Sequence, residues 1–409
     1  MLDISSPFKK ILTEGEYSIS PSQFSLYYSK FYPSKLILNW LCRNNINLLK
    51  NRELSFTGQK NNYIRYQSFT SKDQFDKRVQ KIIPIKIDIG AIYDKPPRYY
   101  NEHKNEVDLV FQEKELVFDI DISDYNDVRT CCTGTDICSK CWKFIICGAK
   151  ILDRILKEDF GFKKYFFDFS GRRGIHCWVS DKNACKLNDK ERQMIESYIL
   201  YDRINDDSTK DRTKRRIRKR KFVEPIYPSF MEDLSIVKND FYDIIKEQDL
   251  LNYEDIKNLF KNIITTYFCL IDMENIDSIL ENRKMNSISK ITKIHDLLTK
   301  AENILRKKNN ITYCHSESCI NEFILNILSP RLDWNVTRQA THLLKGPFCV
   351  HPKTGFVSVP MSLELLEKFD LKKIPKIDNL LNNNDDDIKY FKEYVDFFEN
   401  FVKNLNNND

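Results

Sequence analysis

The chain has 409 residues, of which 41 % are hydrophobic and 12 % aromatic. That is enough apolar material for a substantial core, and the length implies one composite domain or two. No stretch of about eighteen apolar residues occurs, so a transmembrane helix is not expected, and the opening MLDISSPFKK lacks the apolar segment of a secretory signal. Twelve cysteines without such a signal imply reduced thiols rather than a disulfide framework. A soluble intracellular protein is the expectation. The net charge of +6 balances 65 basic against 59 acidic side chains, so any nucleic-acid claim must come from local clusters.

Apolar and aromatic residues recur at helical spacing from Pro21 to about Leu48, and strand-like stretches follow at Leu54–Phe56, Tyr63–Phe69 and Ile85–Ile89. Residues 94–106 are polar with prolines and read as a loop. The strand Leu116–Ile122 precedes a cysteine-rich loop and a long helix, from about Cys141 to Asp159, that Gly161 is placed to cap. Two strands, Tyr165–Phe169 and Ile175–Val179, flank a glycine turn. This order makes an α/β core, expected over 1–185 and 326–375 with the cysteine motif 131–141 inside it. Residues 186–325 show helical periodicity and read as an inserted helical subdomain. Strand-like sequence returns at Arg331–Val336, and Phe348–Val359 reads as a hairpin turning through His351–Gly355. The segment 376–409 is expected to be a polar linker, Asn382–Asp387, followed by an amphipathic helix.

In ELVFDIDISD the period of two sets Val117, Asp119 and Asp121 against Leu116, Phe118, Ile120 and Ile122. Two carboxylates on one face lie about 7 Å apart along a strand. As hard oxygen donors they suit Mg²⁺ or Mn²⁺. A DxD pattern alone is more often a solvated acidic face. Asp333, in the alternating RLDWNV, supplies the third acid that a pair of catalytic ions needs.

Ser170-Gly-Arg-Arg-Gly-Ile-His176 joins two strands. Its glycines let backbone approach an anion, and Arg172 and Arg173 offer forked donors for phosphate. His176 alternates away from Ile175, Cys177 and Val179, toward the arginines. Taken alone, such a turn is more often a plain basic β-turn. A second basic-histidine segment, His342-Leu-Leu-Lys-Gly-Pro-Phe-Cys-Val-His351, adds Lys345 and His351 and favours the phosphate reading.

Cys131, Cys132, Cys138 and Cys141 fall within eleven residues and can close a tetrahedral Zn²⁺ site of the structural kind. Cys138 and Cys141 by themselves could also form a redox pair at a helix start. Cys314-His-x₃-Cys319 offers only three ligands and reads as ordinary buried sequence. Lys210–Lys221 holds nine Lys or Arg in twelve residues, a candidate for phosphate contacts or nuclear import, though a solvated loop is equally consistent.

Several of these segments together resemble the small catalytic subunit of the archaeal and eukaryotic DNA primases, the eukaryotic form above all. The resemblance is carried by RELSFT, YIRYQSF, KIDIGAIY, ELVFDIDISDYNDVR, the CC…CxxCW cluster, SGRRGIHCW, RLDWNV and HLLKGPFCVHPKTG, in that order from about residue 20 to 360. It implies a mixed-sheet α/β catalytic core with an inserted helical subdomain and a structural zinc motif. It also implies RNA primer synthesis from ribonucleoside triphosphates on single-stranded DNA. Asp119, Asp121 and Asp333 fall on its catalytic acids, which hold two Mg²⁺ or Mn²⁺ ions. Ser170, Arg172, Arg173, His176, Lys345 and His351 fall on its triphosphate ligands. Arg65, Asp88, His342 and Glu53 match positions near the nucleotide sugar and cleft, and the four cysteines match its zinc ligands. The implied partners are a large iron–sulfur primase subunit and the DNA polymerase alpha complex, in the nucleus and without a membrane. Two other readings remain open at this point: a primase-related repair polymerase, and a non-catalytic zinc-stabilised nucleic-acid-binding subunit.

Overall fold

The computed structural model describes residues 19–43, 45–102, 108–200, 228–268, 271–307 and 315–405. The basic run Lys210–Lys221 and Cys314 lie outside them. Two compact units emerge, the first made of Met1–Asp121, Phe160–Glu196 and Leu332–Asp409, the second of Ile122–Asp159 and Ser197–Arg331.

The first unit is an α/β structure built on two antiparallel sheets. One has the order β2-β1-β3-β4, from β1 (Arg52–Thr57), β2 (Tyr63–Gln67), β3 (Lys86–Tyr93) and β4 (Phe111–Glu113). The other has the order β5-β7-β6-β9, with β5 (Leu116–Asp121), β6 (Tyr165–Phe169), β7 (Gly174–Val179) and β9 (Val359–Met361). A two-residue strand, β8 (Leu344–Lys345), pairs with β3. β7 lies between β5 and β6 and is buried along its whole length, which accounts for its nearly unbroken run of apolar residues. β5 is buried except at Asp119 and Asp121.

The sequence periodicity misleads in three places. Arg331–Val336 is not a strand: only Leu332 makes a strand-like bridge, to Ile120, and Asp333 then caps the helix Trp334–Arg338 by accepting the Asn335 N–H at 3.0 Å. A short helix, Arg98–Glu102, interrupts the polar segment expected to be a loop. The run Asn382–Asp387 is no linker. Asn384 caps the helix Asp385–Asn404 by accepting the Asp387 N–H, and three aspartates occupy its first turn, where the helix dipole favours negative charge. That helix buries Phe391, Phe398 and Val402 within the first unit. The ring of Phe398 meets Trp40, Phe166 and Phe348 at centroid distances of 5.5, 5.2 and 5.7 Å. Trp40 is oriented in turn by its Nε1–H, which donates to Ser180 Oγ at 3.0 Å.

The second unit is helical. Ser139–Arg154 packs against Pro228–Gln248, and Phe260 stacks on Phe323 at 4.4 Å. Arg154, buried at its centre, pairs with Asp159, Glu232 and Asp233. Residues 131–141 group with these helices, although the sequence reading put them in the α/β core. No described helix is long and apolar enough to cross a membrane.

Phe398 has no exposed surface and contacts aromatic rings from three other segments. Replacing it by Ala should cost about 3–5 kcal/mol through lost burial and an unfilled cavity. A urea midpoint within error of the parent protein would refute the packing role of the C-terminal helix.

Candidate active site

Pairing between β5 and β7 sets the geometry. The register joins Asp119 to His176, Ile120 to Ile175 and Asp121 to Gly174. Residues directly opposite in an antiparallel pair share a face, so Asp119 and His176 project to the same side. Asp121 accepts from Arg173 Nε at 2.6 and 2.9 Å. The Asp333 N–H donates to the Asp119 carbonyl at 3.0 Å, which brings the third acid's backbone against the first. The acidic strand, the third acid and the basic turn therefore converge within one unit.

The turn is held shut by its own backbone. Ser170 N–H donates to the Gly174 carbonyl at 2.9 Å, and Ser170 Oγ accepts the Gly174 N–H at 3.2 Å. Gly171 adopts φ +84°, and a Cβ there would come within 2.9 Å of His351 Cβ. Only glycine lets this turn sit against the His351 segment. Thr354 Oγ1 donates to the Gly171 carbonyl at 2.7 Å, and Lys345 Nζ donates to the Ser170 carbonyl. Ser170, Arg172, Arg173, Lys345 and His351 are thus gathered around one turn.

The local field is strongly positive. Burial, and then the cations Lys345, Arg172, Lys353 and Arg173, push His351 down to about 3. Its ring is neutral at pH 7. Nδ1 accepts the Lys353 N–H at 3.3 Å, which leaves Nε2 carrying the proton as a donor. Burial likewise lowers Lys345, partly offset by Cys349 and Asp168. A neutral imidazole donor among four cations is suited to a polyanion such as a triphosphate.

The remaining predicted residues divide. Asp88 pairs in register with Lys345 across β3 and β8, and Lys86 Nζ lies 3.0 Å from its carboxylate. Burial lowers His342 below its ordinary range, with Lys114 acting in the same direction and Asp333 and Asp88 opposing it. His342 therefore feels both an acid of the β5 group and one of the first sheet. Glu53 and Arg65 form a cluster with each other: Arg65 Nε donates to Glu53 at 3.1 Å, and the buried Glu53 also accepts from Tyr93 Oη and the Tyr66 N–H.

Asp119, Asp121 and Asp333 offer only hard carboxylate oxygens, and Asp119 and Asp121 are the two β5 residues with solvent access. This donor set fits Mg²⁺ or Mn²⁺. Among the described residues the one group whose ligand atoms stand close enough to share a metal ion is a different one, Cys131, Cys132, Cys138 and Cys141 in the helical unit, whose sulfurs all lie within 4.8 Å of one another. Cys138 Sγ and Cys141 Sγ are 3.8 Å apart, matching the spacing of about 3.8 Å between thiolates on a tetrahedral zinc. The cluster can hold a metal such as zinc. Arg129 braces it, donating to the carbonyls of Gly134 and Asp136 at 2.7 Å each and to Cys141 Sγ at 3.6 Å.

Comparison with known proteins decides the family. The family model of the DNA primase small subunit matches residues 118–363. The DNA primase small subunit of Saccharomyces cerevisiae is 37 % identical over 406 residues, covering 95 % of this chain and 93 % of the relative. The chain belongs to the DNA primase small subunit family. Its Caenorhabditis elegans relative is 32 % identical over 421 residues, covering 93 % of this chain and 97 % of that protein. An archaeal relative, the DNA primase small subunit PriS of Picrophilus torridus, is 24 % identical over 369 residues, covering 88 % and 85 %. The chain is accordingly a nucleotidyltransferase of the primase type, with a role in RNA primer synthesis.

Sequence reasoning missed two buried groups in this primase subunit. Asp168 on β6 pairs in register with His176 from the side opposite Asp119. Its signal was present, since it is the single charged residue in the aromatic strand Tyr165–Phe169. Lys114, between β4 and β5, donates to the His342 carbonyl, and burial lowers it to about 7. Nothing local distinguishes it from a surface lysine.

The depressed His351 makes stability depend on pH. Between about 6.5, the ordinary histidine value, and about 3, the unfolded chain binds a proton at this site that the folded chain does not. Folding stability should therefore fall as pH drops through that window. His351→Gln should lose less stability than the parent between pH 7.5 and pH 5 in urea melts. Equal losses in both proteins would contradict the assigned environment.

Proposed function

We propose that this chain is the catalytic subunit of a DNA-dependent RNA polymerase. It would synthesise short RNA primers on single-stranded DNA for replication, by two-metal nucleotidyl transfer from ribonucleoside triphosphates. The observation that carries the reading is the β5–β7 register, in which Asp119 faces His176 while Arg173 reaches Asp121. Acids for cations and donors for phosphate share one strand pair. Positioning and electrostatics do most of the work in phosphoryl transfer, so this adjacency is what such chemistry requires.

Arg172, Arg173, Lys345, His176 and the Nε2–H of His351 would bind the triphosphate and neutralise it. The tight Ser170–Gly174 turn holds the two arginines beside it, and Arg173 spans the acids and the phosphates. Asp119, Asp121 and Asp333 would hold the divalent ions, which supply activation of the attacking 3′-hydroxyl and charge stabilisation of the leaving pyrophosphate. Asp88, His342, Glu53 and Arg65 would line the approach to the nucleotide sugar. The four cysteines would hold a structural zinc. A large primase subunit, the DNA polymerase alpha complex and a nuclear location complete the proposal, supported by the extended likeness to eukaryotic relatives.

Asp119→Ala with Asp121→Ala should lower primer synthesis on single-stranded DNA by ~10³-fold or more, with an unchanged circular dichroism spectrum. Undiminished synthesis would sink the catalytic assignment. For the cysteine site, elemental analysis should find about one zinc per chain, and chelation should lower the melting temperature. A metal-free protein with the parent melting temperature would rule out the structural zinc.

A further inference from the structure

Asp168 has no part in the reading above, yet it is fully buried at the edge of the phosphate-binding residues. Its position in the register faces His176, so His176 sits between Asp119 on β5 and Asp168 on β6. Asp168 Oδ2 lies 3.7 Å from His176 Nδ1 and accepts the Ser358 hydroxyl at 2.7 Å. The side chains of Asp168 and His176 are 0 % and 7 % exposed, so water cannot serve either of them freely. Asp168 Oδ1 and His176 Nδ1 are both buried without a hydrogen-bond partner. Leaving two such atoms unpaired is costly, and each is the complement the other lacks, an acceptor beside a ring nitrogen that can donate. Asp168 also acts electrostatically on Lys345, whose Nζ donates to the Ser170 carbonyl of the same turn.

We propose that Asp168 is a positioning residue for His176. Anchored by Ser358, its carboxylate takes the Nδ1 edge of the imidazole and so presents the Nε2 edge to the triphosphate. This is the arrangement by which a carboxylate fixes the ring of a ligating histidine elsewhere. The Ser358 anchor comes from the residue just before β9, and β9 itself pairs with β6 through Asp168 and Pro360. Packing at the far edge of the sheet would thereby set the orientation of a nucleotide ligand. Asp168 itself does not touch substrate, so all of its influence on binding passes through His176.

The inference rests on the reading of Ser170–His176 as a triphosphate site, and a double-mutant cycle separates the two. ATP with Mg²⁺ is titrated, by a fluorescence binding assay, into the full-length parent chain and into His176→Ala, Asp168→Asn and the double variant. Asp168→Asn keeps the side-chain shape and can still accept from Ser358. It should weaken ATP binding between about 3- and 100-fold in the parent and less than about twofold in the His176→Ala background. Ser358→Ala, which leaves both partners in place, should give a smaller weakening that also vanishes without His176, and it carries the cycle if Asp168→Asn does not fold. Equal weakening in both backgrounds, or none in the parent, overturns the positioning role while leaving the triphosphate site intact. Unchanged ATP affinity in His176→Ala alone removes His176 from the triphosphate ligands and overturns the positioning role with it, whereas a parent chain that binds no ATP overturns the triphosphate reading itself.

Discussion

One close approach governs the catalytic unit: the backbone of β7 at Gly174 lies against β5. A Cβ at Gly174 would meet the Ile120 carbonyl at 2.4 Å, so no other residue permits the two strands to pair this tightly. With that pairing the register is determined, and a slip of one residue would turn every side chain to the other face. Asp119 then faces His176, and the arginine preceding Gly174 folds back onto Asp121. The third acid depends on the same strand, because Asp333 is tethered to the Asp119 carbonyl by its own N–H. One glycine without a side chain thus lies beneath both halves of the site.

A second glycine joins the sheets. At Gly171 the left-handed backbone and the missing Cβ bring the turn of the β6–β7 hairpin against His351 and Lys345. Lys345 belongs to β8 and pairs with Asp88 on β3, so it ties the first sheet to the turn of the second. The resulting charge distribution is segregated. Acids occupy β5 and the start of the helix Trp334–Arg338, while Arg172, Lys345 and Lys353 crowd a neutral His351. Arg173 bridges the two groups. Cations packed this closely repel one another, and the association of a polyanion relieves that repulsion.

The helical unit follows a different logic. Its cysteine cluster is local in sequence and opens the helix Ser139–Arg154, where the Cys138 N–H donates to Cys141 Sγ at 3.2 Å. Arg129 adds hydrogen bonds to the loop carbonyls and to Cys141. Such a motif is legible from spacing because its chemistry is confined to eleven consecutive residues. Its grouping with the helices could not be read in the same way, since domain membership depends on contacts with residues more than a hundred positions away, such as Thr130 with Gln248.

From sequence alone came whatever a short segment determines: the alternation that exposes Asp119 and Asp121, the glycine turn with its arginines, and the four-cysteine spacing. The likeness of ordered motifs to the primase small subunits extended that reading to distant positions such as Arg65, Asp88 and Glu53. Tertiary structure decided what depends on partners far along the chain. RLDWNV alternates like a strand, yet Asp333 caps a helix, because its neighbour Leu332 meets only one strand residue before the chain turns. Asn382–Asp387 reads as a linker until the helix behind it is seen to bury Phe398 against Trp40 and Phe166. Asp168 and Lys114 gain meaning only from the carbonyl, hydroxyl and imidazole that fold against them. Local pattern specifies which chemistry a segment can offer. Burial and register specify which groups it is offered to.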